Sequence, residues 1–452
     1  MTDIPVTRRL AEWIVAIGPG EIPEAVRAEG LRTFVNWVGC AIGGADHETA
    51  DNALSALAPF AGAPQAGVIG RAERLDVLHA ALMNGITSHV LDYDDTHLKT
   101  IIHPAGPVAS ALMAVAEYRP VRGAQLLDAL VLGVEIECRI GNAVYPDHYD
   151  RGWHITGTAG VFGAAAAVSK LLGLDVERTI WALGIAATQS SGLREMFGTM
   201  CKSFHPGRAA QNGAAAAFLA EAGFDSSLRA IEAPRGFASV LSDKQDYSEI
   251  FDGLGTRWEA ALNSYKPFAC GIAIHPTIDG CVQLRALHPD LIARIERVEL
   301  TTHPLVLELT GKRTPTTGLE SKFSVYHAAA VALLHGDGAP TAFTNALARD
   351  PQVIALRDRI TATAGQIDED EVRIVLVLDD GRRIEHHVEH AIGSIHRPLT
   401  DTELDEKFLR QASLVIGEAR ARAVLDLAWR MPELAAPGEV TLASVPAAPV
   451  VV

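Results

Sequence analysis

At 452 residues the chain is long enough for two domains, and with 48% apolar and 21% charged residues it has a globular composition, not a disordered one. Acidic residues outnumber basic ones 55 to 39, and the formal charge of −16 excludes the basic face of a nucleic-acid binder; if the substrate is an anion, the few cations must be concentrated where it binds. The cysteines (Cys40, Cys138, Cys201, Cys270 and Cys281) are scattered, with no C-x-x-C spacing. They exclude a disulfide framework and a Cys-only zinc site, and point to a reducing compartment.

The opening segment MTDIPVTRRLAEWIVAIG lacks the basic start, apolar core and cleavage site of a signal peptide. The longest apolar runs, such as AGVFGAAAAV, are too short to span a bilayer. The expectation is a cytoplasmic protein without a membrane partner. From there to about residue 265 the pattern predicts helix after helix. PEAVRAEGLRTFVNWVGCAIGG places Val26, Phe34, Val38 and Ile42 roughly on one face, with Pro23 at the start and Gly43-Gly44 at the end. DVLHAALMNGITSHVLD follows, with Asp76 as its N-cap. Further helices are predicted at PVASALMAVAEY, AQLLDALVLGVEIECRIGNAV, GTAGVFGAAAAVSKLLG, RTIWALGIAATQSSG and RAAQNGAAAAFLAEAGF. Ala and Gly occupy several faces of them, which predicts close helix–helix packing.

The pattern changes near YKPFACGIAIHPTID. RIERVELTTH predicts a strand, SKFSVYHAAAVALLHG a helix, and EVRIVLVLDDGRRIEHHVEH a hairpin turning at Asp380-Gly381. TDTELDEKFLRQASLVIGEARARAVLDLAW returns to amphipathic helix, capped by Thr400 or Asp401, and the Pro- and Ala-rich tail reads as loose or strapped along the surface. The expected class is α+β, with a large all-helical domain plus a smaller α+β lid domain. The expected boundaries are 1–266 for the helical domain, 267–395 for the lid, and 396–452 for C-terminal helices and tail packing back on the helical domain.

Residues 91–106, LDYDDTHLKTIIHPAG, hold Asp92, Asp94, Asp95, His97 and His103. Asp92-x-Asp94-x-Thr96 matches the motif of aspartyl-phosphate phosphatases, but that motif needs a preceding strand and HAALMNGITSHV reads as helix. As metal ligands the set is poorly spaced: His97 and His103 do not share a helix face, and no H-E-x-x-H occurs. For Asp94 and Asp95, caps and solvated turn residues stand level with a functional role. His103 precedes Pro104 and a helix, where free N–H groups and the dipole favour an anion and push the imidazole towards a neutral base. The alternative is a polar cap.

His154 stands before a second helix. Lys202, His205 and Arg208 stand before a third, and Lys266 and His275 before a fourth. Singly, each is more often a surface cation. Together, in an acidic protein, loops rich in His, Lys and Gly that feed helix N-termini suggest a site for a multiply charged carboxylate.

The stretches HVLDYDDTHLKTIIHPAGPVASALMAVAE, GWHITGTAGVFGAAAAVSKLLGL, FGTMCKSFHPGRAAQNG, YKPFACGIAIHPTIDG and KFSVYHAAAVALLHG resemble the MmgE/PrpD family and run in family order over nearly the whole chain. The resemblance implies a large helical domain with an α+β lid, a homodimer, and no obligatory metal or organic cofactor. It also implies a site drawn from Asp92, Thr96, His103, His154, Lys202, Lys266 and His275, with Arg208 a further candidate for substrate binding. Many relatives carry a tyrosine in an F-S-x-x-Y segment. Here Ser324 is followed by Val325-Tyr326-His327, so His327 stands at the tyrosine position. Tyr326 and His327 are both candidate substrate contacts, and the role of the phenol is open.

The family's reactions remove a proton or a carboxyl group from carbon beside a carboxylate, and the charge that builds needs fixed cations and N–H donors. Lys202 and Lys266 suit that task. His103 and His154 suit acid–base work near neutral pH, and Asp92 could orient an imidazole or act as base. The first expectation is a metal-independent hydro-lyase dehydrating 2-methylcitrate or a similar hydroxy-tricarboxylate. An epimerase acting on an iminodisuccinate-like substrate, or a decarboxylase acting on a cis-aconitate-like one, is the alternative. A silent helical binding protein is the distant third.

Overall fold

The computed structural model describes residues 5–447 apart from Pro19. Its first part is a helical bundle. Helix α1 (Val6–Ala16) and helix α2 (Glu24–Gly44), which Pro23 introduces, lead into α3 (Val77–Val90). Asp76 caps α3 by accepting hydrogen bonds from the N–H groups of Leu78 and His79. Then come α4 (Ala105–Tyr118), α5 (Gly123–Val144), α6 (Ile155–Leu172), α7 (Val176–Ala187) and α8 (Cys201–Glu221). Helix α6 is buried on every face from Ile155 to Ser169, so it is apolar all round. Among the described residues it is the helix long and apolar enough to cross a bilayer, and here it lies inside the bundle.

Small residues do what their placement predicts. A Cβ at Gly85 of α3 would sit 2.4 Å from Gly207 Cα of α8, and one at Gly207 would sit 2.4 Å from the Leu82 carbonyl. The two backbones therefore touch, which only glycine permits. This crossing lies four residues from His89 and five from Lys202, and it sets both at the head of the bundle.

Two short strands join the bundle to the lid. β1 (Asp95–His97) pairs antiparallel with β2 (Asn263–Tyr265), Asp95 opposite Tyr265. The lid follows: α9 (His275–Leu287), β3 (Ile295–Thr302), α10 (Val325–His335), β4 (Ile360–Ala364), β5 (Val372–Leu378) and β6 (Arg383–Val388). The sheet order is β4-β3-β5-β6, with β3 and β4 parallel and the other pairs antiparallel. Val298, Leu300 and Thr302 pair with Leu376, Ile374 and Val372, and these buried positions make one inner face. Gly381 takes the positive φ (82°) of the hairpin turn. Strand β4, ITATA, is not foreseen from sequence. It is mostly exposed, short and poor in large apolar residues, and its place comes from the crossover through α10.

Helices α11 (Asp401–Ile416) and α12 (Glu418–Trp429) leave the lid and join the bundle core. Thr400, with Glu403, forms the capping box of α11. Phe408 and Gln411 pack directly on Gly39 and Gly43 of α2. The tail differs from expectation as far as residue 447: Gly438–Ala443 is helical and Val440 is fully buried. Residues 448–452 of the expected tail lie outside the described residues.

Candidate active site

The 92–103 loop is folded by its own polar groups. The His97 N–H donates to the Ile102 carbonyl, and the His97 ring bonds Thr100 Oγ1 (2.7 Å) and Glu259 Oε2 (3.1 Å). His97 is therefore a buried strut of the loop and belongs to no ligand set. Within the loop, Asp92 (φ 51°) and Ile101 (φ 59°) adopt left-handed backbone. An aspartate tolerates this, but a β-branched isoleucine is strained there. Both residues line a cavity between bundle and lid.

The bundle and the junction supply every ionisable group of that cavity: Asp92, His103, Tyr149, His154, Lys202 and Lys266. The lid side supplies Gly271, Ile272, Ala273, Leu309, Thr310 and Phe323. Lys266 follows β2, and its N–H donates to the Asp94 carbonyl (3.2 Å). Its ammonium bonds the Asp92 carboxylate directly and lies 3.6 Å from Asp94 Oδ1. Lys202 in the first turn of α8 reaches the same Asp92 oxygen at 3.0 Å. The Lys202 ammonium lies 5.3 Å and 5.4 Å from the ring centroids of Phe197 and Phe323, which stack on one another. Burial opposes ionisation of Asp92, but the two lysines hold its carboxyl well below the usual range. Burial lowers the Lys202 ammonium, whereas Asp92 and Asp94 outweigh burial at Lys266 and raise it.

His103 Nδ1 lies 2.7 Å from the Asp95 carbonyl and 3.2 Å from Thr96 Oγ1. A carbonyl only accepts, so Nδ1 carries the proton and Nε2 keeps the lone pair. Burial, with Lys266 beside it, pushes the imidazole well below its ordinary value. His154 occupies the N-cap position of α6 but makes no capping bond with its side chain. Its Nδ1 shares a hydrogen bond with His205 Nδ1 (2.8 Å), and burial, then His205 and Lys202, push it well below the ordinary value. Both histidines thus favour the neutral form.

Asp94 and Asp95 divide the roles left level by the sequence. Asp94 Oδ2 holds His89 Nδ1 at 2.5 Å, and Asp94 Oδ1 is 3.6 Å from His103. Asp95 is a cap: its Oδ2 accepts from the Ala105 N–H (3.0 Å) and from Asn263 Nδ2 (2.7 Å). Burial and the charge of Asp94 push Asp95 up to about 7.

Of the sequence candidates, Asp92, His103, His154, Lys202 and Lys266 come together, with Thr96 behind His103. His275 starts α9 and lines a neighbouring apolar cavity that shares Ile101, Ile272 and Ala273 with the first. Three further candidates lie away from both cavities. Arg208 is exposed and bonds Gln211; α8 begins at Cys201, so Lys202, His205 and Arg208 lie within the helix, and rotation along it turns Arg208 outward. Tyr326 lies under the Arg313 guanidinium (4.2 Å). His327 is buried inside the lid, with Nε2 on the Ala342 carbonyl (3.1 Å) and its ring against Phe343. Both follow the Ser324 cap on α10, whose buried face turns into the lid core.

His89 and Lys322 are the neighbours sequence reasoning did not place. Lys322 Nζ donates to the Leu91 and Ala269 carbonyls (2.6 and 2.7 Å), and burial lowers it to about 8. His89 sits in the last turn of α3, five residues before Asp94, and only that short carboxylate spacing hints at it.

A buried cavity that brings two lysines, an aspartate and two imidazoles together can hold an anion and exchange protons with it, which is the equipment of an enzyme. The MmgE/PrpD N-terminal domain matches residues 8–250 and the MmgE/PrpD C-terminal domain residues 268–431, so the chain belongs to the MmgE/PrpD family. It is 28% identical to a cis-aconitate decarboxylase-like protein of Aspergillus oryzae, over 93% of each chain. It is 26% identical to a cis-aconitate decarboxylase of Aspergillus terreus, over 93% of this chain and 92% of that one. It is 23% identical to a 2-methylcitrate dehydratase of Cupriavidus necator, over 80% and 79%. The relatives are lyases.

Proposed function

We propose that the enzyme decarboxylates a cis-aconitate-like tricarboxylate by proton transfer from an imidazole. The observation that supports this best is the pair Lys202 and Lys266 on one oxygen of Asp92, facing His103 and His154 across the cavity. The lysines bind substrate carboxylates, and Asp92 holds the ammonium groups in place between turnovers. A bound trianion reverses the local field, so His103 gains a proton as substrate enters. His103 or His154 then delivers that proton to the vinylic carbon. The double bond shifts, and carbon dioxide leaves from the allylic carboxylate. The lid's apolar wall excludes water.

Decarboxylase relatives matched over more than nine-tenths of both chains favour this over the 2-methylcitrate dehydration expected first. In that second reading the same imidazoles remove the C–H proton and protonate the departing hydroxyl. A homodimer in the cytoplasm, with neither membrane nor nucleic acid as partner, completes the proposal. Incubation with cis-aconitate, 2-methylcitrate and iminodisuccinate, followed by NMR, tests it: a methylene-succinate from cis-aconitate is expected, and turnover of only another substrate would overturn the reading. Prolonged chelation is expected to leave turnover intact. Activity lost to the chelator and restored by one divalent ion would reject the metal-independent step.

A further inference from the structure

The spacing of His97 and His103 predicts no compact ligand set, yet the fold assembles one from other residues. One ring nitrogen each of His89, His103 and His154 lies within 4.8 Å of those of the other two, and all three side chains are buried. They come from three elements: the last turn of α3, the loop before α4 and the N-cap of α6.

Each imidazole is held at Nδ1 by a different partner. Asp94 Oδ2 holds His89 at 2.5 Å, the Asp95 carbonyl holds His103 at 2.7 Å, and His205 holds His154 at 2.8 Å. The Nε2 atoms of His89 and His154 are buried without a hydrogen-bond partner. Buried polar atoms are seldom left so. A histidine that ligates a metal through one nitrogen almost always gives the other to a carboxylate, a carbonyl or a similar acceptor. His89 and His103 meet that condition at the Asp94 carboxylate and the Asp95 carbonyl, and His154 meets it in the tautomer where His205 Nδ1 accepts. The nearby charges also balance: Lys202 and Lys266 are offset by Asp92 and Asp94.

We infer that His89, His103 and His154 form a binding site for a borderline divalent transition ion of the Zn²⁺ class, and that occupancy switches the enzyme off. Zinc–nitrogen bonds of about 2.0–2.1 Å set three tetrahedral nitrogens roughly 3.4 Å apart, within reach by side-chain rotation. The fourth position opens to the cavity. The ion takes the lone pair of His103 Nε2, so proton exchange and metal binding exclude each other. The inhibition rests on the acid–base reading above, whereas binding itself does not.

The test uses the full-length protein freed of metal by chelation. Titration with Zn²⁺ is expected to show one tight equivalent per chain, and Co²⁺ to give the visible absorbance of a four-coordinate ion. Turnover should fall in step with occupancy and return on adding chelator. His89→Ala should weaken Zn²⁺ binding at least 100-fold, with folding checked by circular dichroism. His390→Ala is the control for the partly exposed cluster of Asp370, His390 and His396. No Co²⁺ band, no tight equivalent, or binding lost in His390→Ala and kept in His89→Ala would each overturn the site. A bound equivalent with undiminished turnover would overturn the inhibition alone and count against the role of His103.

Discussion

The two walls of the cavity are built from opposite materials. The bundle and the junction present Asp92, in left-handed backbone, with His103, His154, Lys202 and Lys266, in a web of buried hydrogen bonds and ion pairs. The lid presents Ile272, Ala273, Leu309, Thr310 and Phe323. One wall carries charge and protons, and the other keeps water away. Of the ionisable lid residues that the sequence suggested as substrate contacts, His275 lines the neighbouring cavity, and Tyr326 and His327 point elsewhere. The division teaches that substitutions on the first wall should change the chemistry, whereas those on the second should change the seal.

The largest expected effect is on the charged wall. His103→Gln should cut turnover by roughly two to four orders of magnitude while leaving the melting temperature and much of the binding in place. A lowered melting temperature with normal turnover per folded molecule would instead make His103 a strut like His97.

Lys202→Met should act on affinity. A charged hydrogen bond is worth about 1.5–3 kcal/mol, so Kd for a polycarboxylate inhibitor should rise about 10- to 100-fold. A defect confined to kcat would move Lys202 from binding to chemistry.

The charged wall should also show itself in proton linkage. The imidazoles of His103 and His154 are pushed below their ordinary value by burial and the neighbouring cations, and must rise when a trianion arrives. Binding near pH 7 should therefore take up protons, and affinity should fall as pH rises towards 8.5. Calorimetry in buffers of different ionisation enthalpy reads the uptake, and a result of zero would show that neither imidazole is charged by substrate.

On the apolar wall, Ile272→Val removes one methylene, about 0.8 kcal/mol, so apparent affinity should weaken no more than roughly fourfold. A loss as large as that of Lys202→Met would erase the distinction between the walls. The smallest effect belongs to Arg208→Ala, which should leave kinetics unchanged and stability within about 0.5 kcal/mol. A binding defect there would return Arg208 to the site.

Much of this was legible because it is written locally. The helices announce themselves through periodicity and caps such as Asp76 and Thr400, and the hairpin through Asp380-Gly381. The positions of His103 and His154 at helix starts could be read in the same way. What could not be read depends on long-range geometry. His89 reaches the site through the Gly85–Gly207 contact, and no spacing along the chain encodes that. Tyr326 and His327 are adjacent to a matching motif, yet the rotation of α10 sends them into the lid core. Strand β4 is made a strand by its neighbours, since its own residues are too small and too exposed to demand it.

The return of α11 to α2 has a consequence for how the protein is made. During synthesis the ribosome releases the bundle helices first, then the lid, and only then the segment carrying Phe408 and Gln411. Until that segment emerges, Gly39 and Gly43 line an open groove, and Asn36 waits for the Lys407 ammonium that reaches it at 2.5 Å. The nascent bundle is thus unfinished for nearly the whole of translation. The lid must fold while tethered to an incomplete partner, and a chain stopped before residue 400 would leave an apolar furrow exposed to whatever else is folding nearby.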